Sequence, residues 1–157
     1  MKYDIIFKEK KMGEIIVPLD ETMRLIEELK SSKDLFAYLK KYDLNSTNLS
    51  FVDYLNTLFH QSNMKKSDII RSMNMTRSYA YEIFSGSKNP SRDKTLMLSY
   101  GLSLDYETTQ RLLTLAKHNP LHPKDKRDSI IIYTIYNKMN LISANMLLAE
   151  CQEMILA

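Results

Sequence analysis

Seven basic side chains lie close together between Lys65 and Lys94, in the stretch KKSDIIRSMNMTRSYAYEIFSGSKNPSRDK. The same stretch holds three acidic residues, so its net charge is +4, whereas the whole 157-residue chain carries only +3. The remainder of the chain is therefore slightly acidic. Clustered lysine and arginine side chains bind phosphate groups, so this distribution of charge favours a nucleic-acid partner.

Two short helical patterns, Lys66–Met73 and Thr76–Ser85, occupy this basic stretch and meet at a break of a few residues. Asn74 stands in the break, and asparagine enters left-handed backbone geometry more readily than other non-glycine residues. Thr76 is a suitable cap for the second helix, which ends at Gly86. The pattern predicts a helix-turn-helix, a motif in which one helix can enter the major groove of DNA.

The segment KKSDIIRSMNMTRSYAYEIFSGSKNPSRDKTLMLSYGLSLD resembles the phage-repressor-like helix-turn-helix family, also called lambda/Cro-type or Xre-type. The resemblance covers about Ser50 to Lys117, and the YEIFSG…NPSRDK and PLHPKDKRDSIII portions are similar to an uncharacterised bacterial subset. It implies a five-helix DNA-binding core whose recognition helix begins near Arg77. The crossing of the two motif helices normally pairs a small residue with an aliphatic one; here Ile70 and Ala80 exchange those sizes, which roughly conserves the volume.

The resemblance assigns base reading to Arg77 and Ser78, with a further position a turn later at Glu82. An arginine guanidinium bonds guanine O6 and N7 together, whereas a carboxylate accepts from cytosine N4. Tyr81 is expected to face outward, where it can contact a base or a phosphate, while Tyr79 packs beside the capping turn or also contacts DNA. Phosphate-contacting positions fall on Lys66, Thr76, Ser85, Lys88 and Arg92.

Alternative roles stay open for two of these charged residues. Glu82 is repelled by phosphates, so it can instead orient Arg77 or a neighbouring tyrosine. Arg92, together with Asp93, can serve the helix that Ser91 caps.

The rest of the chain is predicted to be helical on both sides of this core, which makes the protein all-α. Residues 1–48 are expected to form an N-terminal region, with a short β-hairpin or an extended arm in Met1–Pro18. Two short helices follow, one from Asp20 and one over Ser32–Tyr42 with Leu35, Phe36 and Leu39 inward.

The DNA-binding core is assigned to residues 49–118. Ser50 is predicted to cap its first helix, Ser91 a helix through Leu102, and Ser103 a helix through Lys117. Residues 119–157 are expected to form a C-terminal helical pair, packed on the core or dimerising. Its helices are predicted over Asp125–Met139 and Ser143–Ile155, after an interruption at Pro120 and Pro123.

The sequence offers little for catalysis. His118 and His122 are four residues apart, but Pro120 breaks the helix between them and nothing completes a metal site. Cys151 is the only cysteine, and the glycines form no phosphate loop. We therefore expect no enzyme, metal or cofactor. With one cysteine and no long apolar run, we also expect a cytoplasmic protein without a membrane span.

The function predicted from these observations is sequence-specific binding of double-stranded DNA by a transcriptional regulator. The nearly continuous apolar run Ile130–Tyr136 indicates a helix buried on more than one side, either inside the monomer or in a homodimer. A protein-interaction adaptor or antitoxin-like partner, acting through the flanking helices with weak or no DNA binding, is the alternative, because fold alone does not fix function.

Overall fold

The computed structural model of the chain describes residues 18–41 and 49–157, and every regular element in these ranges is an α-helix. The all-α prediction is therefore confirmed. The hairpin or arm expected in the first residues lies outside the described residues. No helix in the described ranges is long and apolar enough to cross a membrane.

The chain divides into two compact units, Met1–Asn48 and Leu49–Ala157. The described part of the first unit holds helix α1 (Pro18–Ser31) and helix α2 (Leu35–Lys41). Asp34 begins α2, because its Oδ1 accepts the backbone N–H groups of residues 36 and 37.

The inward side of α2 differs from the prediction. Leu35 and Phe36 were expected to point inward, but they are 53% and 81% exposed. Tyr38 is the buried residue of this helix instead, and its hydroxyl donates to the carbonyl of Leu25 at 3.4 Å. The prediction for Leu35 and Phe36 was therefore wrong, because α2 contacts α1 through Tyr38 and Lys41 instead.

The second unit contains seven helices, α3 (Phe51–Gln61), α4 (Lys66–Ser72), α5 (Arg77–Ser85), α6 (Arg92–Gly101), α7 (Tyr106–Leu115), α8 (Lys126–Tyr136) and α9 (Leu141–Glu150). Six of them begin at a side chain that accepts a backbone N–H, which is the bond that stabilises a helix start. These capping residues are Ser50, Thr76, Ser91, Asp105, Asp125 and Asn140.

Two predicted helix starts were wrong. Helix α7 is capped by Asp105 and not by Ser103, because Ser103 has a φ of 53° and belongs to the left-handed turn that ends α6. Helix α9 begins two residues before the predicted Ser143, at Leu141, since Asn140 Oδ1 accepts the N–H of Ser143 at 2.9 Å and caps the helix. That helix also ends at Glu150, well before the predicted Ile155. The interruption predicted between α7 and α8 is confirmed.

Helix α6 is shared by two hydrophobic clusters. The first cluster joins residues of α3, α4, α5 and α7 with Leu98 and Leu102, and the second joins Leu96 and Met97 with residues of α7, α8, α9 and the C-terminal tail. Residues 95–99 are buried along their whole length together with Gly101. Because α6 has apolar side chains on opposite sides, the two clusters are packed against the same helix.

Two reciprocal ion pairs join the first turn of α6 to the first turn of α8. Arg92 donates to both oxygens of Asp128 at 3.0 and 2.9 Å, and Arg127 donates to both oxygens of Asp93 at 3.0 and 2.9 Å. The hydrogen bonds that Arg127 donates to Asp93 raise the pKa of the Arg127 guanidinium. Bidentate pairs of this kind are stronger and more directional than single contacts, so they fix the orientation of α8 on α6.

Side-chain amides hold the irregular segments of this unit. Gln110 accepts the N–H of Leu121 at 2.7 Å and donates to its carbonyl at 2.9 Å. Asn145 makes the same two bonds to Leu156, at 2.8 and 2.9 Å. An irregular segment has no backbone partners for its N–H and C=O groups, and each side-chain amide supplies both bonds. The two leucines can therefore be buried without leaving a backbone group unpaired.

Replacing Asp128 by Asn is expected to lower the free energy of unfolding by about 3 kcal/mol, because the buried carboxylate loses its charge and the half-buried Arg92 loses its charged partner. Asp128 is 6% exposed and also accepts the N–H of His122. Urea unfolding of the full chain measures this. The matched control is Glu82→Gln, which breaks the half-exposed Lys88–Glu82 pair and should cost under about 1 kcal/mol. Equal losses for both variants would contradict the assigned role of the buried pair.

Candidate nucleic-acid interface

Helices α4 and α5 are joined by a tight turn at residues 73–76. Asn74 takes the left-handed conformation predicted for it, with a φ of 50°. Thr76 caps α5, since its Oγ1 accepts the N–H of Tyr79 at 3.4 Å. Ile70 and Ala80, the two residues with exchanged sizes, are 7% and 0% exposed in the first cluster. The exchange therefore leaves both positions inside the core.

The inner side of α5 is anchored on α3. Ala80, Ile83 and Phe84 are buried, and Asn56 of α3 donates to the carbonyl of Phe84 at 3.1 Å. Gly86 ends the helix with a φ of 80°, where a Cβ would lie 3.0 Å from Val52 Cγ2. Glycine is required here both by the left-handed backbone and by the close approach to α3.

The outer side of α5 is an exposed ridge. Successive helical residues are rotated by about 100°, so Ser78 and Glu82 lie nearly opposite the buried Ala80. Tyr79 and Tyr81 are the neighbours of Ala80, and they therefore lie on opposite flanks of the ridge. Ser78 is exposed, Glu82 is half-buried and Tyr81 is 46% exposed.

The Tyr81 flank, formed by Lys66, Arg77 and Tyr81, carries two cations beside one ring. The Lys66 ammonium lies 5.2 Å from the centroid of the Tyr81 ring, and the Arg77 guanidinium carbon lies 5.9 Å from it. Lys66 also lies over the rings of Phe59 and Phe84, at 5.2 and 4.5 Å. Cation–π attraction holds the ammonium at this flank, while Arg77 is exposed at the start of the helix.

The Tyr79 flank, formed by Tyr79, Lys88 and Lys94, lies on the other side of the ridge and also combines one tyrosine with two cations. The Lys88 ammonium lies 4.7 Å from the centroid of the Tyr79 ring, and the Lys94 ammonium lies 5.9 Å from it. Lys88 also pairs with Glu82, with 3.5 Å between Nζ and Oε2. The structure thus brings Glu82 to Lys88, whereas the sequence suggested Arg77 or a tyrosine as its partner.

The remaining hydroxyl residues predicted to contact phosphate already form hydrogen bonds within the protein. Ser85 Oγ donates to the carbonyl of Glu82 at 3.0 Å and lies 2.9 Å from Ser87 Oγ. Thr76 uses an oxygen lone pair for its cap, which leaves its own O–H proton for another acceptor. Thr76 therefore keeps a hydroxyl proton that it can donate to a phosphate. The hydroxyl proton of Ser85 is already donated to the carbonyl of Glu82 near the end of α5.

Arg92 is committed to the interior contact with α8. Four of its N–H bonds go to Asp128 and to the carbonyls of Asn119 and Pro120. A guanidinium has only five N–H donors, so little of it remains for a phosphate. Arg92 is therefore not among the residues that we expect to contact DNA. The acidic partner, Asp128, is 36 positions away in the chain, and no local sequence signal indicated the pair.

The sequence left DNA contact open for Tyr79, but it did not predict that Tyr79 lies beside Lys88 and Lys94. The available signal was weak, because positions 79, 88 and 94 belong to a helix, a loop and the next helix and share no period. Their common location follows only from the packing of α5 beside the start of α6.

The two histidines considered for a metal have other contacts. His118 Nε2 lies 2.8 Å from the carbonyl of Pro90, and His122 Nδ1 accepts the N–H of Lys124 at 3.2 Å. In the part of the chain that the structure describes, no group of histidine, cysteine and acidic side chains could hold a metal ion.

Comparisons of the chain with protein families, with curated proteins and with solved structures found no match. The resemblance drawn from the helix-turn-helix residues therefore stays a prediction.

Gly101→Ala is expected to destabilise the protein by about 1 kcal/mol. A Cβ at Gly101 would lie 2.3 Å from Met73 Cγ, in the turn that positions α5, and Met73 is fully buried. Overpacking costs about 1–3 kcal/mol, which exceeds the gain of about 1 kcal/mol for alanine over glycine in a helix. Thermal unfolding tests this. In a Met73→Ala background the same substitution should be neutral or stabilising, and stabilisation of the wild-type chain would refute the close approach.

Proposed function

We propose that this protein is a sequence-specific DNA-binding transcriptional regulator that places α5 in the major groove of double-stranded DNA. In this proposal α3–α7 form a phage-repressor-like five-helix core, and α5 is its recognition helix. One observation carries the proposal: the exposed ridge of α5 holds hydrogen-bonding side chains between two flanks that both carry lysines.

The side chains of the ridge, and Arg77 and Tyr81 beside it, can form contacts with the edges of bases. Arg77 is exposed at the first position of α5, where a guanidinium can bond guanine O6 and N7. Ser78 offers a donor and an acceptor beside it. Tyr81 presents a ring to a thymine methyl. Because two cations lie beside this ring, its side chain has less conformational freedom to lose on binding.

Glu82 is compatible with DNA because Lys88 lies beside it. An isolated carboxylate on this ridge would repel phosphates, but the 3.5 Å pair with Lys88 offsets its charge. Both side chains are about half exposed, so the pair can open at little cost and let Glu82 accept from cytosine N4.

Selection from random duplexes, followed by affinity measurements at several salt concentrations, tests the proposal. Arg77→Ala should weaken binding to the selected duplex by about 5- to 150-fold, which corresponds to about 1–3 kcal/mol for one bidentate contact, and should relax the preference at one base pair. The control is Arg111→Ala, since Arg111 is exposed on α7 and lies over the ring of Tyr54. The proposal fails if no duplex binds in a salt-dependent way, or if the two variants behave alike.

A second copy of the chain is part of the proposal. Ile131 and Ile135 of α8 are buried within the monomer, but Ile142 and Met146 of α9 are 73% and 61% exposed. They are four residues apart on one face of a helix whose only charged residue is Glu150. An isologous contact through this face places no like charges opposite each other, and a dimer agrees with the habit of the resembled family of binding two half-sites about 34 Å apart.

Met146→Glu is expected to shift the protein from dimer to monomer, because the symmetric contact would receive two carboxylates in an apolar area. Sedimentation equilibrium of the free protein measures the change. Thr114→Glu on the exposed side of α7 is the control and should leave the mass unchanged. A wild-type chain that sediments as a monomer at the concentrations used for DNA binding would refute the dimer.

An adaptor that binds another protein is the second candidate, and the same exposed face of α9 favours it. The two candidates differ in the partner that covers Ile142 and Met146 and in whether α5 contacts DNA. If the folded wild-type protein binds no duplex, the adaptor is the function that the result favours.

A further inference from the structure

The C-terminal tail, residues 151–157, is held on the second unit by side chains that bond its backbone. Asn145 of α9 accepts the N–H of Leu156 at 2.8 Å and donates to its carbonyl at 2.9 Å. Arg127 of α8 donates to the carbonyls of the two preceding residues, at 2.8 and 3.3 Å. Four backbone bonds are therefore formed without regard to the side chains that the tail carries.

Only two side chains of the tail are recognised. Leu156 is 2% exposed and belongs to the second cluster, and the Glu153 carboxylate lies 3.2 Å from the Lys126 ammonium. Met154 and Ile155, which lie between them, are 77% and 48% exposed. The second unit therefore selects a carboxylate and, three residues later, a leucine.

The tail site, formed by Lys126 and Arg127 of α8, Asn145 of α9 and the position of Leu156 in the second cluster, stays in place without the tail. The Arg127 guanidinium is also fixed by its two bonds to Asp93 of α6, at 3.0 and 2.9 Å. Asn145 lies in the middle of a regular helix. Groups that are already positioned lose little conformational freedom when they bind a new segment.

These contacts are of the kind by which proteins bind peptide segments. In that mode, bonds to the main chain supply affinity and a pocket for one side chain supplies specificity. The tail buries one large side chain only, so a segment of another protein that brings its own leucine can replace it. The replacement exchanges each bond for an equivalent one and leaves no cavity.

We propose that the tail site is a peptide-binding site for a non-helical segment of a partner protein that has a carboxylate three residues before a leucine. Residues 153–156 of this chain occupy the site when that partner is absent. The inference goes beyond the proposed DNA binding and does not depend on it.

The test measures the binding of a fluorescent hexapeptide with the sequence of residues 152–157 and both ends blocked. Leu156→Asp in the full chain releases the tail, because a carboxylate cannot enter the second cluster, and this variant should bind the peptide saturably. The wild-type chain should bind it at least about tenfold more weakly, since its tethered tail competes at a high effective concentration. Fluorescence anisotropy gives both affinities.

A second variant covers the case in which Leu156→Asp disturbs the fold. Leu156→Ala loses less of the tail's burial and should bind the peptide with an affinity between those of the wild type and Leu156→Asp. Urea unfolding shows which variants are folded. The inference is overturned if a folded variant of Leu156 binds the peptide no more tightly than the wild-type chain.

Changes in the peptide test the assigned pattern. Replacing its leucine by alanine should weaken binding by at least about 30-fold, and replacing its glutamate by glutamine by about two- to fivefold. Serine at either position between them should change the affinity by about twofold at most. Equal losses at all four positions would indicate unspecific apolar binding and would overturn the proposed ligand class.

Asn145→Asp, made together with Leu156→Asp, tests the protein side. The carboxylate cannot donate to the leucine carbonyl of the peptide, so binding should weaken by about tenfold or more. Asn137→Asp in the same background is the matched control, since Asn137 is exposed at the end of α8 and should leave the affinity unchanged. Equal affinities of the two double variants would exclude the tail site as the place of binding.

A second copy of this chain is the other possible occupant. The Asn145→Asp chain carries an intact tail without its own partner, and it can compete for the labelled peptide on Leu156→Asp. Competition equal to that of the free peptide supports a site that recognises the segment alone. Competition more than about tenfold stronger would assign the site to a second copy and would overturn the choice of a separate partner.

Discussion

The burial of α6 on two opposite sides is the constraint on which the rest of the second unit depends. Leu98 packs into the cluster that supports α3, α4 and α5, while Leu96 and Met97 pack into the cluster of α8 and α9. The approach of α6 to the turn before α5 also requires Gly101, since any side chain there would meet Met73. The positions of the helix-turn-helix and of the C-terminal pair are thus set by one helix, and the reciprocal arginine–aspartate pairs orient α8 on it.

In this arrangement the basic residues between Lys65 and Lys94 have different roles. Arg92 belongs to the same run of charge as Lys88 and Lys94, but Asp128 and two carbonyls hold it inside. Lys66, Lys88 and Lys94 lie instead beside aromatic rings on either flank of α5. An aromatic ring attracts an ammonium group without neutralising it, so Lys66 and Lys94 keep their charge for an anion, whereas Lys88 also pairs with Glu82. Position in the fold, and not net charge, therefore separates structural cations from those available for binding.

The features that were predicted correctly depend on neighbours in the chain. Thr76 caps α5, Asn74 and Gly86 take left-handed geometry, and two prolines lie in the segment between α7 and α8. These are preferences of single residues or of a few consecutive ones. The errors have local causes as well. Ser103 is a good capping residue, but the end of α6 takes it into a left-handed turn in which Leu104 N–H bonds Ser99, and the cap passes to Asp105.

The all-α class, the order of the helices in the second unit and the exposed Arg77 and Ser78 at the start of α5 follow from the sequence, because capping, periodicity and turn geometry act over a few residues. The pairing of Arg92 with Asp128 and the position of Tyr79 beside Lys88 and Lys94 depend on the packing of the helices. The first pair spans 36 positions, and the second group joins a helix, a loop and another helix. Contacts of this kind follow from how α6 packs against its neighbours, and no local preference of the chain specifies them.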